Sequence, residues 1–383
     1  MREARAVDGT GGAAETRRGS KPRARDLGLP FGGACGPHNA MTDVPGVEVG
    51  YATMCDDAAG TAVRTGVTVV LPRGRGGPAT APVWAGFHAL NGNGEMTGTH
   101  WIREAGWFLG PIALTNTHSV GIVHHALTRW MVEAARRQPG PYPWFMPVVG
   151  ETCDAHLNDM NGFHVQESHV REAIAAARGG RIAEGNVGGG TGMICYEFKG
   201  GTGTASRAVA TREGSYMVGA LVQANFGLRP ALRMLGVPVG EHLTDGRIWP
   251  GEQGSVIALV GTDAPLMPNQ LERLARRAAL GIGRTGTPGG DGSGDLCLAF
   301  STANMPARNA DAADPASMSF LPHASLDVMF EATAQVVEEA VINALIAAET
   351  MTGRDGRRVE AVDHGALRHV MRAHGRLVDG AAG

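Results

Sequence analysis

Residues 255–261 read SVIALVG. After its first residue this run carries no polar or charged side chain. A short apolar run bounded by turn signals is the pattern of a strand covered on both faces, so the strand that begins at Ser255 belongs in the core. The stretch before it, 249–254 (WPGEQG), is polar and rich in turn formers. Further strand-like runs lie outward from it at 66–72 (GVTVVLP), 111–116, 146–149, 205–211, 216–224 and 295–301 (DLCLAFS). Helical patterns occupy 126–138, with Leu127, Trp130, Met131 and Ala134 on one side and Pro139-Gly140 as the stop, and 169–177. A third covers 269–284, with Pro268 near its first turn, where a missing N–H costs little. A fourth runs from an N-cap at Ser325 to about Thr350, with an apolar stripe through Val328, Ala332, Val336, Ala340 and Leu345. Residues 226–254 read as a long loop-rich connection, and no internal repeat is present. Strands come in adjacent pairs with helices grouped between them. That favours layered antiparallel sheets flanked by helices over a βαβαβ parallel sheet.

The 383 residues are 43% hydrophobic and 19% charged, an ordinary globular balance. The 57 glycines point to tight turns and close backbone approaches. A net charge of −3 gives no reason to expect nucleic acid or an anionic membrane as a partner. The start of the chain has no apolar core of a secretory signal, and no run is long enough for a membrane span. Five scattered cysteines without a C-x-x-C pair fit reduced thiols in a cytoplasmic protein. Residues 1–24, basic and Gly/Ala-rich, read as a disordered, solvated tail.

Motif by motif, most familiar chemistries are excluded. The glycine run 185–192 (GNVGGGTG) lacks the Gly-Lys-Ser/Thr ending of a phosphate loop and fails G-x-G-x-x-G in every register. It reads as a structural turn, or as a loop lending N–H groups to a site. The fourteen histidines contain no H-E-x-x-H. Glu151, Asp154, His156 and Asp159 form a mixed polar loop that faces water more readily than it binds metal, so no metal and no cofactor is expected. Ser293 lies in GDGSGD, where a nucleophile elbow would need Gly two places to either side. Ser255 follows Gly254 at the mouth of the strand, and a Gly-Ser junction there is, taken alone, an ordinary turn.

Read together, these segments resemble the family of L-aminopeptidase/D-esterases, D-aminopeptidases and β-peptidyl aminopeptidases, self-processing N-terminal-nucleophile hydrolases. The resemblance covers about 25–350. It is carried by 25–32 (RDLGLPFG), 39–50 (NAMTDVPGVEVG), 91–98 (NGNGEMTG), 148–154 (VVGETCD), 185–207, 221–227 (LVQANFG), 254–266 (GSVIALVGTDAPL) and 293–304 (SGDLCLAFSTAN). It implies an α+β fold, a four-layer αββα sandwich. Residues 25–383 would form one domain, cut into 1–254 and 255–383. The implied nucleophile is Ser255, freed by cleavage after Gly254. Asn225 matches an asparagine that helps to hold the oxyanion. Ser293 and Asp295 match a hydroxyl and an acid that orient the nucleophile and its amine. Glu151 matches an acidic pocket residue that receives a substrate's amino group. Cys153 stands where the family frequently has a tyrosine, so a phenol donor is absent there. The implied substrate is a small peptide, amino-acid amide or ester. Homo-oligomers of processed fragment pairs are expected. A related amidase, a peptide-forming aminoacyl transferase and a non-catalytic amino-compound binder are the competing readings.

The chemistry is coherent. A serine hydroxyl is a weak nucleophile without a base, and no His/Asp partner for Ser255 is evident in the sequence. An N-terminal serine carries its own base, an α-amine of ordinary pKa about 7.7–8.0.

Overall fold

The computed structural model describes residues 21–57, 61–77, 81–137, 142, 144–304 and 317–378. The strands, in chain order, are β1 (Glu48–Asp56), β2 (Val63–Leu71), β3 (Pro82–Ala89), β4 (Trp107–Leu109), β5 (Ile112–Asn116), β6 (Val148–Thr152) and β7 (Ile194–Cys195). They continue with β8 (Phe198–Lys199), β9 (Gly201–Ala210), β10 (Ser215–Asn225), β11 (Gly254–Thr262), β12 (Ser293–Ser301), β13 (Met351–Thr352) and β14 (Arg358–Val359). The helices are α1 (Thr99–Ala105), α2 (Val120–Arg136), α3 (Glu167–Ala175), α4 (Val239–His242), α5 (Pro268–Arg284), α6 (Leu326–Ile346) and α7 (His364–Ala373).

Two sheets make the centre, a four-stranded one in the order β1-β2-β5-β6 and a six-stranded one in the order β4-β3-β12-β11-β10-β9. The alternation along β11 explains why its sequence is apolar at every position. Ile257 and Leu259 enter a core between the sheets, beside Val70, Ile112, Leu114 and Val148. Val256, Ala258 and Val260 face the other way, onto Leu271 and Leu274 of α5 and Val337 and Val341 of α6. On the outer side of the smaller sheet, Val67, Val69 and Ala113 pack against Val123 and Leu127 of α2 and Val170 and Ala173 of α3. The layers are therefore α, β, β, α, as expected. Each fully buried aliphatic side chain contributes about 1.5–3 kcal/mol, so both faces of β11 hold it in place.

Several sequence expectations change. The sheets are mixed: β5–β6 and β11–β12 run parallel, whereas the other pairs are antiparallel. Each parallel pair is joined by a 17-residue helix, α2 and α5 respectively, because a parallel connection needs a crossover. The helix expected at 126–138 already starts at Val120, after a turn in which the Asn116 side chain accepts the Ser119 N–H. Ser325 does not cap α6 through its side chain; its hydroxyl donates to Glu213 instead, at 2.7 Å. Val328 is exposed, and α6 is buried on most sides rather than along one stripe.

Residues 1–20 of the expected tail lie outside the described residues. Residues 21–24 are built into the fold. Arg23 is buried and donates to the carbonyls of His38 (3.0 Å) and Asn39 (2.7 Å) and to Glu184 (3.2 Å), while the Ala24 N–H donates to Asn343. A buried guanidinium has to be paired, and Glu184 supplies the pairing that the local sequence does not reveal. Among the described residues no helix is long and apolar enough to cross a membrane.

Candidate active site

Gly254 and Ser255 open β11, with Ser255 opposite Asn225 on β10 and Gly294 on β12. Ser255 shares the face of Ile257 and Leu259, so its side chain belongs to the inter-sheet side. It is 5% exposed. Its Oγ donates to the Gly254 carbonyl at 2.6 Å and accepts the Gly294 N–H at 3.1 Å. Among the described residues no imidazole or carboxylate bonds to this hydroxyl. Gly254 has φ +131°, and a Cβ there would lie 1.9 Å from the Asn225 carbonyl oxygen. Only glycine can occupy that position without moving the sheet.

Ser293 and Asp295 flank Gly294 on β12, and both are buried. Asp295 has the parity of Cys297 and Ala299, which face the helix side, so its carboxyl leaves the sheet on the face opposite to the Ser255 hydroxyl. The Ser293 hydroxyl donates to Asp295 at 2.6 Å, and the Asn91 side chain donates to the other carboxyl oxygen at 3.0 Å. Burial pushes the Asp295 pKa up; the bonds from Ser293 and Asn91 and from the Val256 N–H oppose this, and nearby Glu252 adds to the rise. Ser293 is thus joined to Asp295, and neither is joined to the Ser255 hydroxyl.

Glu151 lies in β6, across the inter-sheet space. Its carboxylate accepts the Glu95 N–H at 2.9 Å and the Thr117 hydroxyl at 2.5 Å. A Cβ on Gly94 would stand 3.2 Å from this carboxylate and 3.3 Å from the Gly294 Cα. Glu151 and the Ser255 hydroxyl therefore lie on the same side of the six-stranded sheet, separated by the Gly94 and Gly294 backbones. Glu151 is 3% exposed and forms no ion pair with a basic side chain among the described residues. Burial raises its pKa, against the hydrogen bonds from Thr117 and Glu95. A buried carboxylate with neutral donors and no cation is suited to receive an ammonium group.

Residues 39–359 match the family described as peptidase family S58. A β-peptidyl aminopeptidase of Sphingosinicella microcystinivorans is 48% identical over 377 residues, covering 93% of each chain. The chain belongs to peptidase family S58. Its fold matches that of an L-aminopeptidase D-Ala-esterase/amidase from Ochrobactrum anthropi, presented as a prototype serine aminopeptidase and a variant of the Ntn hydrolase fold. The TM-score is 0.89 at 51% identity, over 94% of this chain and 100% of that one. A Burkholderia β-aminopeptidase matches with TM-score 0.86 and 48% identity over 92% and 99% of the two chains. This S58 chain is therefore a hydrolase of the aminopeptidase class with an Ntn-hydrolase-like fold.

The remaining expected residues, Asn225 and Cys153, are joined to each other. The Asn225 amide is fixed from two sides: its oxygen accepts the Ile194 N–H at 2.8 Å and its nitrogen donates to the Cys153 carbonyl at 3.0 Å. That bond ties the end of β6 to β10 and leaves the amide a second N–H. Cys153 is exposed, and it meets Asn225 through its backbone carbonyl rather than its side chain. The glycine run is a structural turn. Its Gly188 and Gly189 N–H groups are taken by the hydroxyls of Thr53 and Thr68, at 2.8 and 3.0 Å, so they cannot cradle a phosphate. Among the described residues no group of three or more His, Cys, Asp or Glu is placed to hold a metal ion. Sequence reading assigned no role to Asn91, Thr117 or Gly94. Asn91 and Gly94 fall within the matching segment 91–98, and that was their only signal.

Proposed function

We propose that this chain cuts itself between Gly254 and Ser255 and that Ser255 then acts as the nucleophile of a serine aminopeptidase. The observation that carries this reading is the junction itself. The Ser255 hydroxyl lies 2.6 Å from the Gly254 carbonyl oxygen, and the Gly294 N–H approaches the hydroxyl oxygen at 3.1 Å. In self-cleavage, Ser255 Oγ bonds to the Gly254 carbonyl carbon. The C–N bond to Ser255 breaks, and the hydroxyl proton ends on the departing nitrogen. Water then hydrolyses the ester, giving a Gly254 carboxylate and a free Ser255 amine and hydroxyl.

In turnover the new α-amine takes the Oγ proton as Oγ attacks the substrate carbonyl, then gives it to the leaving amine; water hydrolyses the acyl-enzyme. The second N–H of Asn225 is assigned to the oxyanion, a contribution of about 2.7–4 kcal/mol for one such donor. Asp295 is in register with Val256, one residue from the new amine. When ionised it would stabilise the ammonium form through charge rather than touch the hydroxyl. Glu151 would hold the ammonium end of a peptide, amino-acid amide or ester, on the side from which Ser255 attacks.

The two pieces would stay together. Residues 255–383 supply β11 and β12, and residues 1–254 supply the strands on both sides of them, β10 and β3. Intact mass of the purified protein tests the proposal, with Ser255→Ala alongside. Two fragments from the wild type and one inactive chain from Ser255→Ala are expected. A single uncut chain that is active as such would refute it.

A further inference from the structure

Tyr196 and Glu197 are the two residues that turn β7 into β8, where Cys195 pairs with Phe198. Both have positive φ, +51° and +60°. Two-residue turns of this hand are filled by Asn-Gly or Gly-Gly, because the left-handed backbone disfavours residues with a Cβ. Here they are a tyrosine and a glutamate, 0% and 2% exposed. Such strain persists where the surroundings over-determine it, and it clusters at functional positions.

The side chains show what determines it. The Glu197 carboxylate accepts three backbone N–H groups, from Arg229 at 2.8 Å, Ile248 at 2.5 Å and Trp249 at 2.9 Å. The Tyr196 hydroxyl accepts the Thr287 N–H at 3.0 Å and shares a hydrogen bond with the Thr285 hydroxyl at 2.7 Å. Thr287 in turn donates to Glu252 at 2.6 Å. The carbonyls of the turn accept from Arg229, whose other arm reaches the carbonyls of Leu243 at 3.0 Å and Asp245 at 2.5 Å. Residues 243–252 contain no strand or helix. They are gripped at 243, 245, 248, 249 and 252 by this turn, directly or through Arg229 and Thr287. Two residues later the segment reaches Gly254.

We infer that the Tyr196-Glu197 turn is the positioning device for self-cleavage: it fixes the strap 243–252 so that the Gly254 carbonyl stays against Ser255 Oγ. This deepens the self-processing reading and rests on it. Ser255 is paired on both sides, with β10 and β12, whereas Gly254 opens the strand and is in register with β12 alone, so the geometry of the bond to be cut depends also on the strap upstream. A misplacement of about 1 Å costs on the order of 100-fold in rate. Tyr196 and Glu197 are positioning residues and touch none of the reacting atoms.

The test uses the full-length chain as wild type, Glu197→Gln and Tyr196→Phe. Glu197→Gln turns one acceptor oxygen towards backbone donors into an NH2 group. Tyr196→Phe keeps the ring and loses only the hydroxyl. Cleavage is followed by intact mass over time, and kcat and KM are then measured on the cleaved material with an amino-acid p-nitroanilide. Self-cleavage is expected to slow about 10- to 100-fold in Glu197→Gln and about 3- to 10-fold in Tyr196→Phe, with kcat of the cleaved enzyme within about twofold of wild type. A merely structural role would lower cleavage and turnover together. If Glu197→Gln fails to fold, Tyr196→Phe decides alone. Wild-type cleavage rates in the folded variants, or equal losses in cleavage and turnover, overturn the inference while leaving the proposed function standing. An uncut, active wild type removes the proposed function first and this inference with it.

Discussion

Replacing Gly254 by alanine puts the self-cleavage geometry under a defined load. The new Cβ would lie 1.9 Å from the Asn225 carbonyl oxygen, 2.9 Å from its carbon and 3.0 Å from the Phe226 Cα, at φ +131°. All three contacts are backbone of or beside β10, which pairs with β11 on one side and β9 on the other. The junction rather than the sheet must therefore move, by about 1.5 Å to restore an ordinary contact. Such a shift costs on the order of 100-fold in the rate of an intramolecular attack. The strained φ adds about 1–3 kcal/mol to the cost of folding, which a domain of ordinary stability survives. Gly251→Ala is the matched control, three residues upstream, where an added Cβ meets nothing within 4 Å. The assay is intact mass against time after purification, with thermal unfolding in parallel. Gly254→Ala should persist as a folded, uncut chain when wild type and Gly251→Ala have been cut. Cleavage of Gly254→Ala at the wild-type rate, or equal slowing in Gly251→Ala, would refute the reasoning.

Glu151→Gln removes the buried charge but keeps its hydrogen-bonding shape; KM should rise for substrates with a free amine much more than for their N-acylated counterparts, and equal effects on both would argue against ammonium capture. Asp295→Asn deletes a negative charge that favours the ammonium form of the Ser255 amine. The amine pKa should fall, so the acidic limb of kcat/KM should move to lower pH; an unmoved limb would dissociate Asp295 from the amine. Asp154 is buried, and burial lifts its pKa from 3.8 to about 6 against a hydrogen bond from the Asn158 side chain. A carboxyl whose folded pKa is raised contributes stability below its unfolded pKa and loses it as pH rises through the folded one. Asp154→Asn should therefore raise Tm by a few degrees at pH 8 and leave it nearly unchanged at pH 4, and the same shift at both values would show that charge burial is not the cause.

Local pattern went a long way in this chain. The run 255–261 carries its own evidence of burial on both faces, because an apolar residue at every position of a strand leaves no side for water. The helix at 269–284 was legible from its periodicity, and α5 begins one residue earlier at Pro268. Ser255 is singled out as a candidate nucleophile only through the company of the other matching segments, since a Gly-Ser junction says nothing alone. The parallel direction of β11 and β12 was missed although the intervening helix signals a crossover. The burial of Arg23 was missed because its partner Glu184 is remote in sequence.

What the sequence by itself determined was composition-driven and one-dimensional: a buried strand behind a glycine-serine junction, flanked by helices, and a set of motifs in the order of family S58. What only the tertiary structure decided was adjacency and facing. Strand order β4-β3-β12-β11-β10-β9 brings Asn91 to Asp295 and sets Ser255 between Asn225 and Gly294. Strand alternation sends the Ser255 hydroxyl and the Asp295 carboxyl to opposite faces. Packing of the two sheets leaves Glu151 buried with only neutral donors, and the β7–β8 turn grips the segment before Gly254. The physical reason is that a side chain's burial leaves a trace in its own residue type, whereas the identity of a partner far along the chain depends on pairing order, which no local pattern records.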